Sequence, residues 1–395
     1  MPFGWSSTTT NFSNTVHNAI QKAVVDTLRA GLVGLPKGSV IAADLGPMRG
    51  ENFTLIATEY PDLTTANVTT PLSEGVPPTA VQLGVSTNSF SAQQIGLVTS
   101  ITDVAAFQSP HNLANVAPDK VARVVAQKID DLALTALAAN GVDKEYTGLI
   151  LGTSALVDAK AEMNARNIQP VPGVGYYALC HPYALRGLEG ETSLNGYTDV
   201  QAQADAGKLS AGVVAQYRGF TFLPSANIPG ALSAAARTGP TAAFATDIFT
   251  LAAHGLNTGV RIQFSSITGG TGFSTATDYF VRDVTTNTFK LAATKGGVAI
   301  DLTASDITAS TFKSEQYPVY ILGKGSMLAG DLSTFEYFVT NAPDSANPLN
   351  QFISVGAKGI FGAKVANFAE TTSGGTNGAT VPRILTLSVM SGVTF

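Results

Sequence analysis

The chain has 395 residues, of which only 13% are charged and 45% are hydrophobic, and its 23 basic and 28 acidic side chains give a net charge of −5. The acidic balance and the lack of a basic run exclude tight nucleic-acid binding through phosphate neutralisation. No apolar run approaches the ~20 residues of a membrane helix, and the polar start MPFGWSSTTTNFSNT lacks a signal-peptide pattern. We therefore expect a soluble protein made in a cytoplasm.

The low charge is itself informative. Typical chains have about 25% charged residues, which keep a monomer soluble and separate from its neighbours. A chain with half that share indicates a surface that is largely covered by partners. Cys180 is the sole cysteine, so no disulfide forms within one chain, and its apolar surroundings favour an inert core thiol.

The first 107 residues predict an arm followed by an extended loop. Val16 to Leu28 carries the apolar spacing of a short amphipathic helix, and a turn-rich connector with one short strand follows. ENFTLIATEY and VQLGVSTNSFSAQQIGLVTSITDVAAF are extended segments, joined by TPLSEGVPP with three prolines and Gly75. They predict a long hairpin with few large apolar side chains, which needs another surface to lie on.

The segment Ala117–Asn140 predicts a long one-sided helix. Pro118 suits a first helical position, and Asp119 suits the first turn. Apolar side chains then recur every three or four residues, and Asn140-Gly141 is a favoured end. Such a helix must pack against a sheet or other helices. Asp130 and Asp131 are interpreted as a solvated face or a contact between subunits.

Strands and helices alternate after this helix, which indicates a mixed α/β domain. The pattern predicts a strand at TGLILGTS, a helix with buried Leu156, Ala159 and Met163, a buried strand ending in Cys180, a helix from Pro182 and a helix over 199–212. QYRGFTFLPSANIP, QYPVYILGKGSMLAG and STFEYFVT predict further strands. VPRILTLSVMSGVTF predicts a last strand that pairs back near the long helix.

Residues from about 231 to 314 form a compositional island of short alternating segments separated by turn signals. Strands are predicted at DIFTLAA, GVRIQF, TDYFVRDV, NTFKLAA and VAIDLT. The island enters and leaves the host between strands expected to be adjacent, as a tolerated insertion does. We interpret it as a small, separate, outward-facing all-β domain.

Sequence motifs for catalysis or cofactor binding are weak. GVGYYA (173–178) follows a proline and leads into an extended segment, unlike a dinucleotide-binding turn, and LGKGSM lacks the spacing of a phosphate loop. The four histidines, His17, His111, His181 and His254, lack metal-ligand spacing. We therefore predict no catalytic residue, no cofactor and no metal site.

The order of elements resembles the major capsid proteins of tailed bacteriophages with the Hong Kong 97-type fold, and among these the N4-like group. The resemblance spans about residues 14–230 and 317–395 and is carried by RGENFTLIATEYPDL, TPLSEGVPP, PDKVARVVAQKIDDLALTAL, CHPYALRGL, RGFTFLPSANIP and VGAKGIFGAKVA. The insert separately resembles small β-modules of phage virion proteins in AAHGLNTGVRIQF, YFVRDVTTNTFKL and GGVAIDL.

The resemblance implies an α+β tailed-phage capsid fold with an N-terminal arm, an extended loop, a spine helix on a peripheral β-sheet and an axial α/β domain, plus the inserted all-β domain. The implied ranges are 1–45 for the arm, 46–107 for the loop, 108–150 with 342–395 for the peripheral domain, 151–230 with 316–341 for the axial domain and 231–315 for the insert. The family's autocatalytic cross-link is not implied, since no Lys and Asn match its motif.

The implied function is that of a self-assembling, non-enzymatic major capsid protein. Hexamers and pentamers would form an icosahedral shell, assembled in the host cytoplasm and located in the virion, around packaged double-stranded DNA. The expected partners are other copies of the chain, a portal, scaffolding or decoration proteins and non-specifically contacted DNA, without a membrane. The expected inter-subunit contacts are Met48, Arg49, Phe53, Leu72, Glu74 and Val76.

Three alternatives stay open at this point. A shell of the encapsulin type would hold an enzyme cargo rather than a genome. A phage tail or adhesin protein, favoured by the β-module alone, would form elongated trimers. A hydrolase with an unrecognised site is the third.

Overall fold

The computed structural model describes residues 34–36, 39–42, 54–59, 72, 74–78, 80, 85–108, 113–189, 216–303, 305–340, 349, 351–369 and 380–393. The predicted helices over 16–28 and 199–212 lie outside the described residues. The described helices are α1 (Asp103–Gln108), α2 (Leu113–Ala138), α3 (Thr153–Ala165) and α4 (Pro182–Glu189). The described strands are β1 (Val40–Ala42), β2 (Thr54–Glu59), β3 (Ser86–Ser91), β4 (Gln93–Thr102), β5 (Lys144–Ile150), β6 (Tyr176–Cys180), β7 (Gln216–Tyr217), β8 (Phe220–Pro224), β9 (Ala231–Leu232), β10 (Arg237–Thr238), β11 (Thr241–Ala243), β12 (Ile248–Thr250), β13 (Arg261–Gly269), β14 (Asp278–Arg282), β15 (Thr288–Ala292), β16 (Ile307–Leu322), β17 (Met327–Thr340), β18 (Phe352–Val365), β19 (Asn367–Ala369), β20 (Thr380–Pro382) and β21 (Ile384–Met390).

The chain divides into two compact units. Unit 1 comprises residues 1–139, 325–371 and 375–381, and unit 2 comprises residues 140–324, 372–374 and 382–395. Both mix helices with strands, as the predicted α+β class requires. The unit boundaries differ from the predicted domains, because β17 belongs to unit 1 and the final strand β21 belongs to unit 2.

Unit 1 is built on a four-stranded sheet covered by the long helix α2. The strand order is β1-β17-β18-β4, with β1 parallel to β17 and the remaining pairs antiparallel. Pairs of buried residues alternate with pairs of exposed residues along α2, so that one stripe faces the sheet. The stripe residues Val121, Val125 and Ile129 form a core with Tyr337 and Val355.

The helix α2 is confirmed, but its predicted start at Pro118 is wrong. The helix begins at Leu113, and Pro118 is buried within it. A proline in a helix lacks the N–H that would donate a hydrogen bond to the carbonyl four residues earlier. Pro118 lies within the first two turns of α2, close to the helix end, where the N–H groups already have no partner in the helix.

Asp130 corrects the prediction of a solvated acidic face. Its side chain is 1% exposed, and its Oδ1 atom accepts a hydrogen bond of 2.6 Å from the backbone N–H of Gly34. A Cβ atom at Gly34 would lie 2.9 Å from the Cβ of Ala133, so only glycine allows this approach. The buried carboxylate therefore anchors the chain where it arrives at the helix.

The predicted hairpin is present but ends earlier than Phe107. Strands β2 and β3 pair antiparallel from Thr54↔Ser91 to Glu59↔Ser86. Strand β4, predicted as part of the loop, instead pairs with β18 along all of its residues, and α1 follows it directly. The sequence predicted an extended conformation for the residues of β4, but it did not predict that they form a strand of the unit 1 sheet.

Unit 2 is organised around the sixteen-residue strand β16. The carboxyl half of β16 lies between β6 and β21, and β8 continues the sheet beyond β6. The predicted helix α3 covers one face with Leu156, Ala159 and Met163, all at most 1% exposed. The predicted buried strand β6 and the helix from Pro182 are both confirmed.

The predicted insert, residues 231–314, is not a separate unit, because it lies in unit 2 and contains the amino half of β16. This half of the strand pairs with β13, and the insert packs an aromatic core around Phe249, Phe264 and Phe289. Four of the five predicted strands are present, whereas VAIDLT contributes only an isolated bridge at Ala299. Strands β8 and β16, which flank the insert in sequence, are separated in the sheet by β6, so the prediction of adjacent strands is wrong.

The final strand also departs from the prediction. Strand β21 pairs with β16 on one side and with β5 on the other, within unit 2, and does not return to the sheet that carries α2. All seven of its residues are buried. Both faces of β21 are covered, so neither face of the strand points to solvent. Its alternating sequence therefore does not indicate which sheet it joins.

Candidate assembly interface

The segment between β2 and β3 exposes apolar side chains. Leu72 is 67% exposed and Val76 is 63% exposed, and both flank the exposed carboxylate of Glu74. Gly75 has a φ of 79°, which turns the chain at this point. We call the described residues 72 and 74–76 the tip segment. Of the predicted contact residues, the structure places Leu72, Glu74 and Val76 together here, and Met48, Arg49 and Phe53 lie outside the described residues.

The base of the hairpin, in contrast, is firmly attached to unit 1. Leu55 is fully buried and packs with Phe90 and Leu328. The Asn88 amide donates a 2.7 Å hydrogen bond to the carbonyl oxygen of Asn367, and Lys364 Nζ donates to the carbonyl oxygen of Ser89 at 3.1 Å. The base of the hairpin is therefore fixed to unit 1, while the apolar side chains of its tip segment are exposed.

A second exposed surface lies on β4, β17 and β18. Val98 is 69% exposed and Phe338 is 43% exposed, and they border a shallow groove of about 330 Å³ whose floor includes Gly356. Lys358 lies at the rim, with its Nζ atom 3.8 Å from Glu336 and 4.8 Å from the centre of the Phe338 ring. We call this surface the sheet groove.

A third surface lies on unit 2, where α3 meets the turn between β7 and β8. Val157, Lys160 and Arg218 line an open groove of about 510 Å³. We call it the α3 groove. Neither groove is predictable from local sequence, because each is lined by residues far apart in the chain and a solvent-facing lysine gives no local signal.

The histidines and the cysteine in the described residues occupy structural positions. His254 is 1% exposed, its Nδ1 accepts the N–H of Leu256 at 3.0 Å, and its Nε2 lies 3.3 Å from the carbonyl oxygen of Thr288. His181 Nδ1 accepts the N–H of Tyr183 at 3.1 Å. Cys180 is fully buried. Among the described residues, no group of three or more His, Cys, Asp or Glu side chains is placed to hold a metal.

The two glycine-rich motifs, GVGYYA and LGKGSM, both lead into strands. Val171 and Gly175 are bridged in a turn, and GVGYYA then continues into strand β6 rather than opening a helix. The residues of LGKGSM form the connection from β16 to β17. A phosphate loop needs a helix N-terminus after the glycine-rich turn, and here a strand follows.

Burial makes the insert sensitive to acid. Desolvation lowers the pKa of His254 below its ordinary value of 6.5, and the nearby Arg237 guanidinium acts in the same direction. Below pH 6.5 the unfolded chain binds a proton at His254 more readily than the folded chain, because the pKa of the folded state is lower. The free energy of unfolding is therefore highest above pH 6.5 and decreases as the pH falls through the pKa of the folded state. We expect the insert to unfold at a lower temperature at pH 5 than at pH 7.

Thermal unfolding of the full chain, followed by proteolysis within residues 231–314, measures this difference. The matched variant is His254→Asn, whose amide oxygen can still accept the Leu256 N–H but does not titrate. It should be less stable at pH 7, since ring packing on Phe289 is lost, and should show a smaller pH difference. An unchanged pH difference in the variant would assign the effect to other groups.

No helix in the described parts of the chain has the length and apolarity needed to cross a membrane.

Comparison with known proteins identifies the family. Residues 86–285, just over half of the chain, match the family described as phage capsid protein. A comparison with curated protein sequences finds no match. Among solved structures, the fold is similar to the capsid of Helicobacter pylori bacteriophage KHP30 (TM-score 0.52, 12% identity, covering 90% of this chain and 88% of that one). It is also similar to the capsid subunit of cyanophage Pam1 (TM-score 0.51, 14% identity, 86% and 85% covered) and to that of Ralstonia phage GP4 (TM-score 0.51, 9% identity, 90% and 86% covered). Identities this low establish the fold alone, whereas the family match covers half of the sequence. The chain belongs to the phage capsid protein family.

Proposed function

We propose that this phage capsid protein assembles into hexamers and pentamers that close an icosahedral shell around packaged double-stranded DNA. The proposal places it in the Hong Kong 97-type fold, close to the N4-like group. Membership of the family makes the chain a structural component of the capsid. The observation that carries the rest is the hairpin, which has a buried base and an exposed apolar tip segment.

The hairpin supports assembly through the surface that it leaves uncovered. Leu72 and Val76 are 67% and 63% exposed within five residues of a hairpin whose base is buried, which is the arrangement that a contact with a neighbour would use. Against a second copy, the same residues would be buried. Obligate interfaces bury roughly 2,000 Å² or more, and apolar area contributes about 25 cal/mol per Å². Small contacts repeated with several neighbours therefore suffice to close a shell.

The two units have natural roles in this assembly. Unit 1, with α2 on its sheet, corresponds to the proposed peripheral domain, from which the loop beginning near residue 46 extends to a neighbour. The host part of unit 2 corresponds to the axial domain, and the insert is an added outward-facing domain. The proposed inter-subunit contacts are Met48, Arg49, Phe53, Leu72, Glu74 and Val76.

The remaining partners follow from the role in a virion. A portal and scaffolding or decoration proteins would join the shell, which assembles in the host cytoplasm. Contact with packaged DNA would be non-specific and weak, because a chain of net charge −5 does not attract phosphate over a broad surface. Such a subunit needs no catalytic residue and no cofactor.

Removing the tip tests the proposal without disturbing the core. Glu59 and Ser86 are directly paired, so replacing residues 60–85 by Asn-Gly closes β2 and β3 with a two-residue turn. We expect soluble subunits with native unfolding behaviour that form no closed particles in negative-stain electron microscopy. Normal particles from this variant would contradict the proposed contact between the tip and a neighbouring copy, and a failure of the wild-type chain to form closed particles would contradict the proposed shell.

Wild-type particles decide between the alternatives. An encapsulin-type compartment would contain an enzyme cargo instead of a genome, and a tail or adhesin protein would give elongated trimers.

A further inference from the structure

We propose that the tip segment of one copy docks in the α3 groove of a second copy, with Glu74 between Lys160 and Arg218. This inference rests on the proposed function, since it names the receptor for the extended loop. Its basis is a match of charge and shape between two surfaces of the described residues.

The described lining of the α3 groove is positively charged. Lys160 and Arg218 line it together with Asn164, and its described lining contains no carboxylate. The nearby acids of α3 are engaged elsewhere, because Asp158 lies 3.0 Å from Lys144 and Glu162 lies 3.0 Å from Arg166. The groove therefore favours an anionic group.

Local structure positions the two cations. Arg218 and Gly219 have φ values of 51° and 89°, as expected for the central residues of the tight turn that joins β7 to β8. Arg218 Nε donates to the Tyr217 hydroxyl at 3.2 Å. Lys160 Nζ donates to the carbonyl oxygen of Arg218 at 3.4 Å, which ties the ammonium group to the same turn. Both cations line the one groove, so a carboxylate that enters it is attracted by both.

The groove also has apolar surface beside the cations. Leu156 lies at its floor, and Val157 is 48% exposed along its wall. A fitting ligand is thus an acidic residue flanked by apolar side chains. The tip segment, Leu72-Ser-Glu-Gly-Val76, is such a peptide, and its turn at Gly75 presents the acid and the two apolar side chains within five residues.

The sheet groove is the competing receptor and fits less well. Its one cation, Lys358, already lies 3.8 Å from Glu336. An incoming Glu74 would meet a neutralised pair there and a repelling carboxylate. The apolar contacts with Val98 and Phe338 would remain, so this surface is the alternative outcome of the test.

Cross-linking between different chains tests the contact directly. Full-length Glu74→Cys subunits are mixed with full-length Lys160→Cys subunits, assembled, and treated with a short bismaleimide, since a disulfide requires Cα atoms within about 7 Å. The native Cys180 is fully buried and serves as the unreactive background. We expect a dimer-sized product only in the mixture, which proves that two chains contribute.

A charge exchange tests the electrostatic part. Glu74→Lys alone, and Lys160→Glu with Arg218→Glu alone, should each raise the concentration needed for assembly by roughly two- to fivefold, the size expected for an exposed ion pair. The combined triple variant should restore assembly towards wild type, which a general effect on folding would not do. The matched control is Lys120→Glu, an exposed lysine on α2 outside the groove.

The failures are distinguishable. A cross-link of Glu74→Cys to Lys358→Cys instead of Lys160→Cys would show that the α3 groove is not the receptor. The proposed contact between the extended loop and a neighbouring copy would still hold. No product with either, while Leu72→Asp with Val76→Asp blocks assembly, would also overturn the groove alone. Normal assembly of that double variant would overturn the tip segment as a contact between copies, whereas the proposed function is overturned if the wild-type chain forms no closed particles.

Discussion

Chains truncated before Ile384 will not fold unit 2 and will accumulate as insoluble protein. Strand β21 lies between β16 and β5, so its removal separates β5 from the sheet and leaves one edge of β16 unpaired. Leu385, Leu387 and Val389 also belong to the core beneath α3. Replacing one buried leucine by alanine costs about 2–5 kcal/mol, and whole domains are stable by about 5–15 kcal/mol. Losing seven buried residues therefore exceeds the stability available.

The matched control removes only residues 394–395, which lie beyond the last strand. It keeps the hydrogen bond from Gly392 N–H to the carbonyl oxygen of Tyr183. Soluble yield and hydrogen exchange of β6 and β16 measure the outcome. Native protection of these strands in the longer truncation would show that β21 is dispensable, in conflict with its central place in the sheet.

This strand also shows where sequence reasoning stops. The helix α2, the buried strand β6 and the turns of the insert follow from local patterns, namely the 3.6-residue period, a run of apolar residues and glycines at turns. A strand's choice of sheet depends on contacts far along the chain. Glu145 and Ser388 pair although they are more than two hundred residues apart in the chain. Neither sequence segment contains a pattern that predicts its pairing with the other.

The same distinction applies to the assembly surfaces. The exposure of Leu72, Glu74 and Val76 was predictable, because a proline-rich segment between two strands has nowhere local to bury its side chains. The α3 groove was not, since Lys160 and Arg218 are brought together only when β8 pairs with β6. Asp130 was predicted to be solvent-exposed because it is charged. It is buried instead, because its position along the helix places it on the stripe that faces the sheet.

The insert is expected to be separable from assembly, and Phe249→Ala tests this more gently than a deletion. A deletion of residues 231–314 would remove half of β16. Phe249 is fully buried and its ring centre lies 5.4 Å from that of Phe289, 5.2 Å from that of Phe273 and 5.7 Å from that of Phe264. Truncation of such a ring should destabilise the insert by about 3–5 kcal/mol.

The core beneath α3 should tolerate this loss, because it has no residue in common with the aromatic core of the insert, to which β21 contributes only Met390. We expect rapid proteolysis within residues 231–314 at temperatures where wild-type protein resists, together with particles of normal shape. Phe244→Ala is the matched control, since that side chain is 46% exposed and its loss should change neither result. If Phe249→Ala instead abolishes particles, the proposal that the insert faces outward and lies apart from the contacts between subunits is wrong.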